Sequence, residues 1–402
     1  HAHSGMGSPF DGLGYPAEHM DFAFENGNDA LALTDHGNMN ALAYQVQHAK
    51  QMKKDGKDFK PVFGVEAYFL PSVAEWHTEY AKAKADKKAK KTLDRSRSAT
   101  TIEDETNKKS VKNILNRRRH LILLAQNQTG LTNIFEMVSK SFSPDNFYRY
   151  PRMDYAMLKK HSEGVIAASA CLGGVYAGNY WENREVGPDA ILNAMRDTTM
   201  KMMNIYGDRW YGELQWNNVP EQHELNRYII QIHQEFGVNL ISTADSHYPN
   251  QHAWKDRELY KRLGWLGKGG LPSFIEPELP AGVDEIGYEL FPKNGDQMWE
   301  SYKHYSEKCG VEYNDDIVRR SIEETHSIAH NRIENFMPDN TVRLPDFVVP
   351  GGKTATGTLT QLCLDGLRNS NLQHDQEYID RLKEELEVIS ERGFSKYFLT
   401  MN

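Results

Sequence analysis

Three cysteines in 402 residues, at 171, 309 and 363, are too few and too scattered for a disulfide framework, and they fit a reducing compartment. No apolar run approaches the roughly 20 residues needed to cross a bilayer, and the first residues lack the basic-then-apolar pattern of a secretory leader. Positive charge is not in excess: the formal net charge is -9, which argues against a chain that coats nucleic acid along its length. The chain also lacks an initiator Met and ends in an apolar run, "GFSKYFLTMN", so it reads as a piece of a longer protein.

What is present is unevenly placed. Between Ala74 and Arg119, nine Lys and five Arg stand against seven Asp and Glu, a local net of +7 on an otherwise acidic chain. This block reads as a partly helical, partly disordered insertion that meets a polyanion, or as a solvated linker. Arg117, Arg118 and Arg119 close it and are the candidate nucleic-acid contacts.

Around the insertion, short apolar runs end in polar or small residues: "ALALTDHG" (30–37), "KPVFGVEAYF" (60–69), "HLILLAQN" (120–127), "EGVIAASACLGG" (163–174), "RWYGELQW" (209–216) and "VNLISTADSHY" (238–248). Stretches such as "NALAYQVQHAKQMKKDG" and "NRYIIQIHQEFG" lie between them, with apolar residues three and four apart and a closing Gly. Strands alternating with helices predict an α/β fold with a parallel sheet or barrel over 1–270. After a Gly/Pro-rich crossing near 265–282, the pattern over 271–402 is mostly helical, a second module.

The ligand-type residues gather at strand ends. His1 and His3 flank one alanine, so on a strand both imidazoles share a face. Asp11 follows in the next loop, His36 sits in "TDHG", Glu66 in "GVEAY", His120 opens "HLILLA", Cys171 lies in "SACLGG", and Asp245 and His247 repeat the alternation in "STADSHY". A βα barrel brings such positions together at one face. His, carboxylate and Cys donors suit two or three zinc, manganese or iron ions better than magnesium. Asp35 reads as a turn acceptor, and His19, His48, His233 and His330, inside helical patterns, as surface residues or polar contacts.

The ordered set H-x-H…D, D-H-G, V-E, H-L, A-C-L-G and D-x-H resembles the PHP (polymerase and histidinol phosphatase) domain. With "GLTNIFEMVSKS", "LPDFVVPGGKTATGTLTQLCLDGL" and "YIDRLKEELEVISERGFSKYFL", nearly the whole chain resembles the N-terminal part of the C-family replicative DNA polymerases, the bacterial-type polymerase III alpha subunits. The resemblance implies a distorted (β/α)7 PHP barrel followed by a helical segment leading into the polymerase palm and thumb. It implies a trinuclear site held by His1, His3, Asp11, His36, Glu66, His120, Cys171, Asp245 and His247, with Glu66, Asp245 and His247 as catalytic residues. The activity implied is metal-dependent phosphodiester hydrolysis, a 3′–5′ exonuclease, within a DNA-directed DNA polymerase subunit, a nucleotidyltransferase. The palm aspartates, where magnesium is expected, lie beyond this chain, so the chain alone is expected not to polymerise DNA. The implied partners are DNA (a single strand or primer 3′ end), the remaining polymerase segment and the sliding clamp, in a bacterial or phage-infected cytosol and with no membrane. A metal-binding scaffold without turnover and a stand-alone PHP phosphatase are the competing readings.

Overall fold

The computed structural model describes residues 1–94, 117–266, 289–341 and 347–401. Most of the basic block and of the Gly/Pro-rich crossing, and part of "VRLPDFVVP", lie outside the described residues. The chain divides into two compact units, His1–Pro338 and Asp339–Asn402.

In the first unit the elements follow the order α1 (Pro16–Glu25), β1 (Ala30–Leu33), α2 (Leu42–Lys54), β2 (Lys60–Phe69), α3 (Val73–Asp94), β3 (Arg119–Ala125), α4 (Gln128–Ser141), β4 (Phe147–Tyr148), β5 (Tyr150–Met153), α5 (Tyr155–Lys160), β6 (Val165–Ala168), α6 (Val175–Asn183), α7 (Pro188–Tyr206), β7 (Trp210–Gln215), α8 (Pro220–Phe236), β8 (Asn239–Thr243), α9 (Trp254–Leu266), α10 (Gly295–Lys308) and α11 (Asp315–Ser327). Each of the six apolar runs holds a strand. The ribbon β4–β5 at "FYRYPRM", which has no long apolar run, is an addition: β5 pairs with the end of β2 (Tyr68 opposite Arg152).

The sheet is curled and mixed, running β1–β2–β3–β6–β7–β8. One expectation is corrected here. The sheet is not wholly parallel, because β3 runs antiparallel to both β2 and β6. The reversal sets the start of β3 against the end of β2, with His120 opposite Tyr68. That is why a histidine that opens its strand joins residues that close theirs.

The two edges of the sheet are joined by the first three residues. The Thr34 N–H donates to the Ala2 carbonyl (2.8 Å), His3 N–H to Ser246 O (2.7 Å) and Ser246 N–H to His1 O (3.1 Å). This segment is the seventh member of the ring. The H-x-H spacing follows from it: Ala2 is buried between the ends of β1 and β8, and its two neighbours turn inward.

Side-chain alternation sorts the strands into two faces. Val65, Ala67, Leu121, Leu123, Trp210 and Leu214 pack outward against the helices. Val62, Ile122, Leu124, Ile166, Tyr211 and Ile241 fill the inside. Along the same inward columns the composition changes toward one end, to Glu66, His120, Glu213, Thr243 and Asp245. The other end of the interior is plugged by Ile328, which opens a π-helical turn (Ile328–Arg332) that follows α11, and by Ile333 just after it. Here α11 lies along β8, with Ser242 and Ser321 hydroxyls 2.7 Å apart. The compact unit thus runs well past residue 270, where composition sets the module boundary.

In the second unit, α12 (Ala355–Asn369), α13 (Gln376–Glu391) and α14 (Ser395–Met401) follow one another, with Thr354 and Asp375 side chains capping the first two. Leu359 and Leu399 are buried there, and the Thr356 and Ser395 hydroxyls lie 3.0 Å apart. The helical texture read over 271–402 is observed in its described residues.

Candidate metal centre

All nine ligand-type residues singled out by the sequence converge at one end of the barrel. Seven of them, all but Asp11 and Cys171, supply donor atoms to three overlapping groups: His1, His3, Glu66 and Asp245; His36, Glu66 and His120; and His3, His36 and His247. Glu66 joins two of them. Its Oε2 lies 2.7 Å from His1 Nε2 and 3.2 Å from His3 Nε2. Its Oε1 lies 3.1 Å from His36 Nδ1 and also contacts His120 Nδ1. Asp245 Oδ1 is 3.1 Å from both His1 and His3 Nε2. Asp11 reaches His36 Nε2 (3.3 Å) and His247 Nε2 (3.7 Å) from the loop after the first segment. Cys171 Sγ stands 3.6 Å from His120 Nδ1.

Backbone geometry aims these groups. The bonds Glu66 N–H to Asp35 O (3.1 Å) and Gly37 N–H to Glu66 O (2.7 Å) seat His36 beside Glu66. His120 N–H donates to Gly173 O (2.9 Å), which brings the Cys171 loop against it. Asp245 (φ 49°) and Ala170, just before Cys171 (φ 61°), are both left-handed, a conformation costing roughly 1 kcal/mol for an L-residue. Both turn a chain leaving its strand back toward the cluster. Asp35 is the turn acceptor expected: it takes Ser4 N–H (2.7 Å) and the Ser4 and Ser8 hydroxyls (2.9 Å each), knotting the N-terminal loop. Gly7 is required by that knot, since a Cβ there would lie 2.3 Å from the Asp35 carboxylate.

A second ring of contacts fixes how the imidazoles present themselves. His1 Nδ1 donates to Glu213 Oε1 (2.6 Å), leaving Nε2 to face Glu66 and Asp245. His247 Nδ1 donates to the Asp245 carbonyl (2.7 Å). Such outer partners set the tautomer and basicity of metal-binding histidines. Glu213, 1% exposed, was not singled out by the sequence. Its signal was an acid inside the apolar run "RWYGELQW". It also accepts from Gln215 (3.1 Å) and Thr243.

The electrostatics are those of a largely buried charged pocket, open to solvent at Asp11 and His120. Burial opposes ionisation of Glu66, yet His120 and His36 hold its carboxyl well below the usual range. Burial likewise opposes the ionised forms of Asp11 and Asp245; His247 and His36 hold the first low, and His1 and His247 the second. Burial works against protonating His1 and His36, but the carboxylates of Asp245 and Glu213, and of Glu66 and Asp11, outweigh it and raise both. Burial takes His247 down to about 4 against the pull of Asp245. Burial, then Asp245 and Glu66, push the Cys171 thiol up.

The donors fit metal ions on their own chemistry. Nitrogen and oxygen donors 2.7–3.3 Å apart match the edges of a coordination shell with bonds of about 2.0–2.2 Å. Asp11 Oδ1 is buried and, although 3.3 Å from His36 Nε2, makes no well-formed hydrogen bond. A divalent cation would satisfy it and stabilise the Cys171 thiolate.

The three arginines differ in their surroundings. Arg117 pairs with Glu79 (2.7 Å) and Arg119 with Glu182. Arg118 lies over Tyr150 (3.8 Å to the ring centre) and Tyr68 (5.3 Å), and Tyr68 stacks parallel to His36 at 6.3 Å. Of the remaining histidines, His19 is buried and donates to Leu13 O (2.8 Å), His48 meets Asp21 (3.0 Å), and His233 reaches Val238 O (2.7 Å).

The PHP domain family matches residues 1–217, the stretch that supplies most of this curled α/β sheet and seven of the nine clustered ligand-type residues. The chain belongs to the PHP family. It is similar, well past that domain, to the DNA polymerase III subunit alpha of Aquifex aeolicus, 32% identical over 384 residues (94% of this chain, 28% of the relative). The subunit alpha of Borreliella burgdorferi is 28% identical over 400 residues (99% and 29%), and that of Thermus aquaticus 29% over 219 residues (54% and 14%). The chain therefore spans under a third of the length of these relatives. Among solved structures, an amidohydrolase from Chromobacterium violaceum aligns with TM-score 0.30 at 15% identity, covering 65% of this chain and 95% of that one. Among the described residues no helix is long and apolar enough to cross a membrane.

Proposed function

We propose that this chain is the N-terminal part of a replicative DNA polymerase III alpha subunit, and that its PHP barrel hydrolyses phosphodiesters as a metal-dependent 3′–5′ exonuclease. The observation that carries the reading is Glu66, whose two buried oxygens each face two imidazoles and so join neighbouring donor groups. Donor groups that share one carboxylate would hold two cations close together, which suits phosphoryl hydrolysis by paired metals. The ligands are His1, His3, Asp11, His36, Glu66, His120, Cys171, Asp245 and His247. The donor set favours zinc, manganese or iron, two or three ions, with magnesium left to the polymerase site beyond this chain. The ions supply Lewis acidity toward a phosphoryl oxygen and an attacking water.

The protein supplies the rest. Glu66 and Asp245 hold the negative charge that sets the spacing of the site. His247, kept largely neutral by burial and with its Nδ1–H held by the Asp245 carbonyl, presents Nε2 as a ligand beside Asp11. Arg118 and Tyr68 border the cluster and receive the backbone and base of a single-stranded 3′ end. The setting is the replication machinery of a bacterial cytosol, with the rest of the polymerase and the sliding clamp as partners.

The test is 3′-nucleotide release from labelled single-stranded DNA by the purified chain with manganese or zinc. Asp245→Asn should abolish it; release unchanged in that variant would place the activity elsewhere. A second reading, a metal-bound scaffold, is favoured by the joining of the sheet edges through the ligand-bearing residues His1–His3. It predicts metal-dependent thermal stability with no nucleotide release. A stand-alone phosphatase is disfavoured, because the match to the polymerase subunits continues over residues such a phosphatase would not need.

A further inference from the structure

The far end of the barrel carries a histidine pair that this chemistry leaves unused. His326 lies in the last turn of α11, and His330 lies four residues later in the π-helical turn, so both rings leave the same side. Their centres are 4.3 Å apart. Both Nε2 atoms face one acceptor, Asp29 Oδ2, at 3.5 and 3.0 Å. Asp29 comes from the opposite end of the sequence, immediately before β1. The three donor atoms all lie within 4.8 Å of one another.

We propose that Asp29, His326 and His330 form a second divalent-metal site, independent of the interior cluster, that takes zinc or a similar transition ion. Its role is to clip the turn that plugs the barrel to the start of β1.

Three observations carry this. The donor chemistry, two imidazoles and one carboxylate, is a zinc-type set with room for water in the remaining positions. The exposures of His326 (67%), His330 (34%) and Asp29 (55%) leave those positions open to solvent. Second, His330 is placed by packing and not by the carboxylate. The turn departs from α-helical register, a departure common at functional sites. It is held by Ile328 and Ile333 in the barrel interior and by Lys60 Nζ, which donates to Ala329 O (2.5 Å) and Ile333 O (2.6 Å). Third, the adjoining cavity, about 610 Å³, is lined by Asp29, Lys60, His330, Arg332 and Glu334 among others. Its cations are engaged elsewhere, Lys60 by those carbonyls and Arg332 by Asp208 (3.0 Å), so they do not occupy the Asp29 carboxylate. A site at the N-terminal face of barrel strands fits a stabilising role.

The experiment is equilibrium dialysis of the whole chain against zinc, with bound metal counted in wild type, His326→Ala/His330→Ala and Asp29→Asn. The wild type should hold one more equivalent per chain than either variant. Zinc should also raise its unfolding temperature further than it raises theirs, since an ion bound only to the folded state stabilises it. Equal stoichiometry in a folded variant, checked by circular dichroism, overturns the site. Asp29→Asn keeps the test decisive if the double variant fails to fold. Loss of hydrolysis with this equivalent retained would count against the interior reading and leave this one standing.

Discussion

The two histidine clusters flank β1 at its opposite ends and are built on different principles. The interior cluster draws on residues from 1 to 247, brought together only when the sheet curls and the first segment joins its edges. The rings of His1, His3 and His247 are buried and those of His36 and His120 partly so, and His1 and His247 are locked by Glu213 and by the Asp245 carbonyl. The basal cluster takes two rings from helical spacing and one carboxylate from the start of a strand, all exposed. Burial with an outer ring of partners makes a pre-organised site suited to chemistry; exposure with local spacing makes a clip.

The largest break in this contrast should come from Glu66→Ala. Two donor groups lose their shared carboxylate, so the interior should lose at least two ions while the basal equivalent persists. Several kcal/mol of lost charge stabilisation corresponds to a fall of about a thousandfold in 3′-nucleotide release. Metal counting and single-turnover kinetics check this; unaltered interior stoichiometry would refute Glu66 as the joining ligand.

Glu213→Gln asks whether the outer ring matters, since it keeps the shape and removes the charge behind His1. Removing such a partner typically weakens metal affinity by about 10–100-fold. A competition titration of interior metal should show this range, with basal affinity unmoved.

Much of the interior site was legible because it obeys strand rules. Alternation put His1 and His3 on one face, and Asp245 and His247 after a strand. The six apolar runs located every strand of the sheet except the β4–β5 ribbon, where "FYRYPRM" has no apolar run to announce it. The reversed direction of β3 was not legible: periodicity carries no direction, and a helix between β2 and β3, here α3, reads like the crossover of a parallel pair. Glu213 was missed because an acid in an apolar strand has no spacing partner; only its contact with His1 gives it a role. The basal site was missed for the opposite reason. His330 fitted a helical surface, and nothing in the sequence ties Asp29 to it. Composition also set the module boundary near 270, but Val318, Ile328 and Ile333 bury themselves against the barrel and carry its unit on to 338.

His19 sharpens the comparison from a third side, being buried like the interior rings but bonded to a carbonyl instead of a carboxylate. Burial therefore takes it down to about 4 from 6.5. A depressed folded-state value means that its contribution is fully present above pH 6.5 and is lost as the pH falls toward 4. With metal loading held constant, the wild type should lose about 2 kcal/mol more stability than His19→Gln between pH 7 and pH 5. Denaturant melts at the two pH values measure the difference; parallel losses in both proteins would show that His19 is not the titrating group.

The smallest effect separates the three arginines at the rim of the interior site. Arg117 and Arg119 already face Glu79 and Glu182, whereas Arg118 lies over the Tyr150 and Tyr68 rings, one ring away from His36. If a single strand enters past Tyr68, Arg118 is the cation that meets its phosphate. Arg118→Ala should then weaken single-stranded DNA binding a few-fold and lower the salt slope by about 0.7, the share of one phosphate contact. Arg117→Ala and Arg119→Ala should each do less, because a path past Tyr68 runs beside Arg118, whose guanidinium lies over that ring. Fluorescence anisotropy across a salt series reads all three variants. Equal losses from the three would mean that the basic block acts as diffuse charge, and that the rim of the interior site has no defined path for the strand.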